Sequence, residues 1–436
     1  MKFASAPERL SPEWLLLLLL IVSLAFMQPG FWVSGLQAAP TDFIYPLLLA
    51  AAGIAIVRGR AAFAWQPAYW LLIAYFAAML VSALAAGFPQ RSALKLSTQL
   101  YLLSLPVLVC SLVSSQARLR QALLAWLVGS AIVALVGVAA VIAFLIDPES
   151  PWFAFARSDF GTLPTGPYPR LWLTFLNPNL LCNYLTVSLV ILLVARSQGW
   201  LARTPFLLLL GGLLLSAAFT ISTGLGGIAL AIAIWLWVLL RSRSQLLARL
   251  LVAGGIAAAA AFVLAALVTP VIPRDVPFLV HLPGIDRPFA PAVRWLTWHQ
   301  AIANFLVDPM FGRGIGSNAV SVYYWVPWGL HSHLTDAHNA YLNIAVQCGL
   351  LGLAALLALI VHVWRRTRLP SPAAPHDLVP FGLGLAFLDA FAYQGLTGSF
   401  EDARHLWVLL GLFLASLRLR AVSPRRRKLQ TQSRFD

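Results

Sequence analysis

The chain is divided into apolar runs too long and too poor in charge to be one-sided faces of soluble helices. A hydrocarbon core of roughly 30 Å asks a crossing helix for about 17 to 25 such residues. Twelve candidate spans answer that description, at about 14–30, 40–57, 67–86, 94–113, 120–146, 175–195, 204–221, 226–240, 251–270, 339–363, 378–396 and 405–418. Sixty per cent of the residues are hydrophobic and ten per cent charged, against about half and a quarter in soluble domains. The reading is an all-α integral membrane protein of about 12 transmembrane helices. The spans at 204–221 and 226–240 are short and flank "STGLGG", which predicts a re-entrant pair or a broken hairpin.

The net charge of +15 would suit nucleic acid if it were gathered on one surface. It is instead spread over alternate loops. The two termini and the loops after spans two, four, six, eight and ten hold 21 of the 30 Lys and Arg residues, and the intervening loops hold 9. Such a bias places both termini in the cytoplasm and reads the basic tail as a topology anchor, with no nucleic-acid partner. The first span follows Lys2 and Arg9 in the manner of a secretory signal, but no small-residue cleavage site ends it, so it is kept as a span. Cys110, Cys182 and Cys348 all fall inside spans and read as small buried residues rather than a disulfide or zinc framework.

The organisation that follows is nine spans over 1–270 with an outward loop at about 147–174, a loop subdomain at 271–338, three spans over 339–418 and a basic cytoplasmic tail at 419–436. Both long loops face the periplasm. No cytoplasmic segment is long enough for a soluble catalytic unit, and no Walker A or Rossmann glycine pattern is present. Chemistry at the outer face must therefore use a substrate that carries its own activation. In the large loop, "PAVRWLTWHQAIANFL" predicts a helix with Trp295, Trp298, Ile302 and Phe305 on one stripe, lying on the bilayer surface or the top of the bundle and flanked by Arg294 and His299. The glycines of "DPMFGRGIGSN" read first as a tight turn and second as an anion nest of backbone amides.

Three of the eight histidines crowd into "HSHLTDAH", residues 331–338. Asp336 is the expected N-cap of the tenth span, placing His338 in its first turn, where the helix dipole disfavours imidazolium. Asn339, Asn343 and Gln347 follow at intervals of four, and a polar stripe within a span faces protein or water, never lipid. A zinc-hydrolase reading of His331, His333, Asp336 and His338 is one residue too long in spacing. A haem reading beside "YYWVPWGLHSH" and simple capping compete with it. Asp389 within the eleventh span, with Glu401, Asp402 and Arg404 beyond it, reads either as a metal or acid–base site or as an internal ion pair or helix cap.

"PYPRLWLTFLNPNLLCNYL", "FTISTGLGGIALA", "VRWLTWHQAIANFLVDPMFGRGIGSN" and "DAHNAYLNIAVQCGLLG", in this order over roughly 165–365, resemble the O-antigen ligase family, which includes O-antigen polymerases and some protein-glycosylating ligases. The resemblance implies a GT-C-type membrane glycosyltransferase. It would transfer an undecaprenyl-pyrophosphate-linked glycan at the periplasmic face, in a ligase onto lipid A-core, with membrane lipids as surroundings and no cofactor or metal. It makes His338 the catalytic histidine, Arg294 an essential arginine and Arg170 the basic position before Asn177-Pro178-Asn179. Asn177, Asn179 and Asn339 become possible substrate contacts, although the first two also suit a helix start around Pro178. The family's Ser-Arg-Gly is here Ser222-Thr223-Gly224, so an arginine is missing and Arg170, Arg287 or Arg157 would take its role at the pyrophosphate. Arginines suit a diphosphate because their fork binds it bidentately, and they also suit lipid headgroups. A flippase or exporter would need the spans and the basic cavity but not His338.

The charge bias yields a direct test. A cysteine introduced in the 271–338 loop is expected to react with an impermeant thiol reagent in intact cells; reaction only after permeabilisation would invert the topology.

Overall fold

A computed structural model describes residues 11–27, 31–33, 36–84, 86–87, 89–163, 166–175, 177–241, 244–267, 293–325, 331–370, 378–397 and 403–432. Each of the twelve apolar runs forms a helix: α1 (Pro12–Ser23), α2 (Pro40–Val57), α3 (Ala68–Leu84), α4 (Pro89–Leu112), α5 (Gln116–Ile146), α6 (Pro178–Ser197), α7 (Arg203–Ala218), α8 (Gly224–Leu240), α9 (Gln245–Leu267), α11 (Ala340–Arg366), α12 (Leu378–Thr397) and α13 (Arg404–Gln432). The remaining helix, α10 (Val293–Val307), is the one expected in the large loop. Six helices, α2, α4, α5, α6, α11 and α12, are long and apolar enough to cross a membrane.

The fold is not purely helical. Three two-stranded antiparallel hairpins lie between helices: β1 (Phe31–Val33) with β2 (Leu36–Ala38), β3 (Arg157–Leu163) with β4 (Gly166–Leu171), and β5 (Val322–Trp325) with β6 (His331–Leu334). Two helices also depart from expectation. α1 stops at Ser23 instead of running to about residue 30, and the chain then turns so that the Met27 amide bonds the Thr174 carbonyl at 2.8 Å. α7 and α8 do not pair as a hairpin: α7 packs on α5 and α6, and α8 packs on α9, α6 and α12.

At the centre stand α6 and α12, most of whose residues are buried. A membrane helix in this position still has to satisfy its polar side chains, because no water is at hand. Asn183 of α6 does so by donating to the Ala390 carbonyl at 2.9 Å while its oxygen meets His405 Nε2 at 2.7 Å. Arg404 donates from Nε and Nη2 to the two carboxylate oxygens of Asp42, each at 2.7 Å, and Asp42 also accepts the Ala39 amide to cap α2. For Arg404 the ion-pair reading is the one realised; Glu401 and Asp402 lie outside the described residues.

The element that positions the site is a loop driven into a broken helix. Gly349, with φ 64° and ψ −165°, interrupts α11. Into that break comes the segment after α10: the Leu350 amide bonds Pro309 O at 2.7 Å, while the Arg313 and Gly314 amides bond Val346 O at 2.8 Å and Gln347 O at 3.1 Å. Backbone can approach backbone this closely only without Cβ atoms. A Cβ on Gly349 would lie 2.3 Å from Met310 O, and one on Gly312 would lie 2.5 Å from the Gln347 backbone. The glycine run therefore serves close packing: the Gly314 and Gly316 amides bond Gln347 of α11 and the Gly312 amide bonds Asp308 O.

Gly312→Ala and Gly349→Ala are each expected to cost more than the roughly 1–2 kcal/mol of left-handed backbone strain alone, since both add a backbone collision. Gly59→Ala, with φ 66° but nothing within 4 Å, should cost the strain alone. Thermal unfolding in detergent measures all three; equal losses would contradict the wedge.

Candidate functional site

The head of α11 differs from the sequence expectation by three residues. Asn339, not Asp336, is the N-cap: its side-chain oxygen accepts from the Tyr341 and Leu342 amides at 3.0 and 3.1 Å. His338 stands before the helix in a left-handed conformation, φ 50°. Asp336 instead accepts the His338 backbone N–H on Oδ1 and the Asn343 side-chain N–H on Oδ2, and Oδ1 lies 3.6 Å from His338 Nδ1. Asn343 completes the turn by accepting the Ala337 amide at 2.9 Å. The Asn343 and Gln347 stripe faces protein, as a stripe within a span must: Gln347 Oε1 accepts the Gly316 amide at 3.2 Å, and both side chains border a small cleft opposite Gln99 of α4.

α10 is tied to this turn. Thr297, fully buried, donates to Arg294 O at 2.9 Å within α10 and lies 3.2 Å from Ala337 O, one residue before His338. The expected aromatic stripe of α10 is split. Trp298 and Phe305 pack on a small core of Ala301, Ala319, Val320, Ala337 and Val346, whereas Trp295 and Ile302 are exposed. Docking α10 here brings Arg294 to His338. Burial, and then the Arg294 guanidinium, push the His338 imidazole down from about 6.5 to about 4, so the ring is neutral at neutral pH and its lone pair can take a proton. Burial also lowers Arg294 from its ordinary value, opposed by the Tyr393 hydroxyl; a guanidinium so shifted is still charged.

Tyr393 carries the site across to α6 and α8. Its hydroxyl meets Ser222 Oγ in a short hydrogen bond, and Ser222 donates to Asn179 Oδ1 at 2.8 Å. Two residues before Ser222, the Thr220 carbonyl accepts from Arg170 Nε at 2.9 Å. Asn179, Ser222 and Tyr393 are thus linked by hydrogen bonds, with Arg170 on the neighbouring Thr220 carbonyl, while Tyr393 acts on Arg294 and Arg294 on His338 through charge alone. Tyr393 and Ser222 are two residues that the sequence reading did not single out as functional. Ser222 could have been found as the first residue of the altered Ser-Thr-Gly motif; Tyr393 had no sequence signal beyond its place in a span. Thr223, where the family arginine is missing, is buried.

The other candidates lie elsewhere. Arg157 bonds the Pro148 and Ser150 carbonyls, each at 3.1 Å, and lies over the Phe144 ring, so its guanidinium holds the 147–150 turn. Arg287 lies outside the described residues. Asn177 caps α6 by accepting the Leu180 amide at 2.8 Å. The His333 ring stacks on Tyr323 with centroids 4.1 Å apart and meets Ser321 Oγ at 3.0 Å on the hairpin. Among the described residues, no three His, Cys, Asp or Glu side chains are gathered as a metal site. Asp389 is aimed at Gly227 of α8, where an added Cβ would lie 3.1 Å from both carboxylate oxygens.

Residues 205–357 match the family model described as O-antigen ligase. No curated protein matches the chain. The matched segment runs from α7 to the middle of α11 and takes in Ser222, Arg294 and His338. The match agrees with the resemblance found in the sequence motifs, and the six long apolar helices among the described residues suggest a multi-pass membrane protein; members of the matched family are membrane glycosyltransferase-like enzymes.

The two caps separate structure from contact. Asn177→Ala and Asn339→Ala should each lower stability by about 0.5–2 kcal/mol, and the Ser variants by much less, because a hydroxyl caps nearly as well. Thermal unfolding together with a transfer assay reads the outcome: activity lost in Asn339→Ser at unchanged stability would make that carboxamide a substrate contact.

Proposed function

We propose that the protein is an O-antigen ligase of the bacterial inner membrane. It would transfer a polymerised glycan from undecaprenyl pyrophosphate to a sugar hydroxyl of lipid A-core, at the periplasmic ends of twelve spans arranged as a GT-C glycosyltransferase. Both termini are then cytoplasmic and 271–338 is a periplasmic subdomain. The observation that carries the reading is an imidazole, His338, held out of the helix in a left-handed turn beside the half-buried guanidinium of Arg294.

The chemistry follows from charge. The donor's anomeric carbon already bears a diphosphate, so no nucleotide is needed outside the cell. As that bond breaks, negative charge grows on the leaving oxygens, and Arg294 and Arg170 offer planar donor forks to receive it. His338 takes the proton of the attacking hydroxyl, and direct displacement inverts the anomeric carbon. In this reading the arginines supply the electrostatic stabilisation that a divalent ion would otherwise provide.

General-base catalysis contributes about 10²–10⁴-fold, so His338→Ala should lose about that much transfer while the protein remains folded. The neutral ring is the working form. Since its folded pKa is depressed to about 4, activity should persist well below the ordinary histidine range and fall only as pH approaches 4. Transfer by purified protein with lipid-linked glycan, lipid A-core and chelator measures both. Activity restored only by a divalent ion would overturn the mechanism. In cells, deleting the gene should abolish the lipopolysaccharide ladder while lipid-linked polymer accumulates; a single-repeat band would make the protein a polymerase instead.

A further inference from the structure

We propose that Asp336 is the positioning residue of His338: it orients the ring so that Nε2 faces the acceptor and provides the counter-charge for the imidazolium formed in transfer. The inference rests on the reading of His338 as the base. The carboxylate is fixed on both oxygens, Oδ1 by the His338 backbone N–H and Oδ2 by the Asn343 side chain. Asn343 is itself fixed by the Ala337 amide, and α10 presses on the same residue through Thr297. The left-handed turn at His338, φ 50°, curls the ring back toward this carboxylate, with Nδ1 3.6 Å from Oδ1. That separation is several tenths of an ångström longer than a hydrogen bond, the kind of contact that tightens when substrate closes a site.

The charge balance requires such a group. Among the described residues, Asp336 from the same segment and Arg294 from α10 are the charged groups facing His338, and the Tyr393 hydroxyl of α12 acts on Arg294. In the transfer step the acceptor O–H bond breaks and its proton goes to Nε2. The oxygen's electron pair forms the bond to the anomeric carbon, and the carbon–oxygen bond to the diphosphate breaks with its pair leaving on the diphosphate. Nδ1 keeps its own proton, pointed at Asp336. Without that carboxylate the new imidazolium would face a guanidinium alone. Which ring nitrogen carries the resting proton is set by the partner of the other, so Asp336 also selects the tautomer whose Nε2 lone pair is available.

Asp336→Asn keeps an oxygen for the backbone N–H and removes the charge. We expect kcat to fall by about 10²-fold or more, within the range for general-base catalysis, with the donor KM held within about twofold. The acid limb of the pH profile should also move lower, because losing a nearby negative charge disfavours imidazolium. A kcat within about threefold of wild type, or an unmoved acid limb, would reduce Asp336 to a turn former. Nitrogen-15 histidine spectra of the purified wild-type protein give a second measurement that needs no transfer: His338 should carry its proton on Nδ1, and a proton on Nε2 overturns the proposal. Full activity in His338→Ala would instead remove the base itself, a failure of the functional reading that the tautomer measurement keeps distinct.

Discussion

The arrangement depends on three backbone hydrogen bonds and the glycines that make room for them. Breaking α11 at Gly349 frees amides and carbonyls in the apolar part of a long helix, where an unpaired group costs several kcal/mol. The loop after α10 repays this with its own backbone, giving the Pro309 carbonyl to Leu350 and taking Val346 and Gln347 through the Arg313 and Gly314 amides. The contact lies about six to ten residues past the start of α11, or ~9–15 Å down its axis. Because α10 leads into this wedge and α11 leads out of it, the two helices behave as one clamp. Arg294 is at the start of one arm and His338 at the head of the other.

The same economy governs the central helices. Asn183 with His405, Asp42 with Arg404, and Asn179 with Ser222 and Tyr393 are polar sets buried among apolar side chains. In such surroundings a half-made network is worse than none, so each set fixes one mutual placement of its helices. The last of them links α6, the α7–α8 connection and α12 at the end of the bundle where Arg170 arrives on β4. Specificity of packing and assembly of the site are here one task.

Twelve of the helices were legible because hydrophobic length is a blunt signal that survives ignorance of neighbours. The amphipathic α10 was legible for a similar reason. What failed was whatever depends on a contact distant in sequence. Asp336 has the right residue type for an N-cap, and so does Asn339; only the demands of Asn343 and the left-handed turn decide between them. The break at Gly349 is invisible in an apolar run, since the partner that repairs it is forty residues upstream. Ser222 and Tyr393 are paired across 171 residues, which no local pattern encodes, whereas His338 stood out by the crowding of histidines before an apolar run and Arg294 through the family resemblance of its motif. Arg157 was a candidate only through the arginine missing at Thr223, and its guanidinium bonds the Pro148 and Ser150 carbonyls.

Backbone strain marks the same end of the molecule. Among the described residues, four non-glycine residues have positive φ: Phe153, Leu173, Ile221 and His338. Each costs of order 1–3 kcal/mol, and Ile221, with its branched Cβ, is the least suited of them. They are not scattered. Leu173 and Phe153 belong to the segment around the β3–β4 hairpin, whose Leu171 amide bonds the Phe219 carbonyl at 2.9 Å. Ile221 directly precedes Ser222, and His338 heads α11. Phe153 and Leu173 therefore flank the hairpin that carries Arg170, while Ile221 sits beside Ser222 and His338 at the head of α11. Strain of this size persists only where surrounding contacts overdetermine the backbone, as the Asp336 and Asn343 hydrogen bonds do around His338. The apolar packing of the buried helices α6 and α12 offsets that strain.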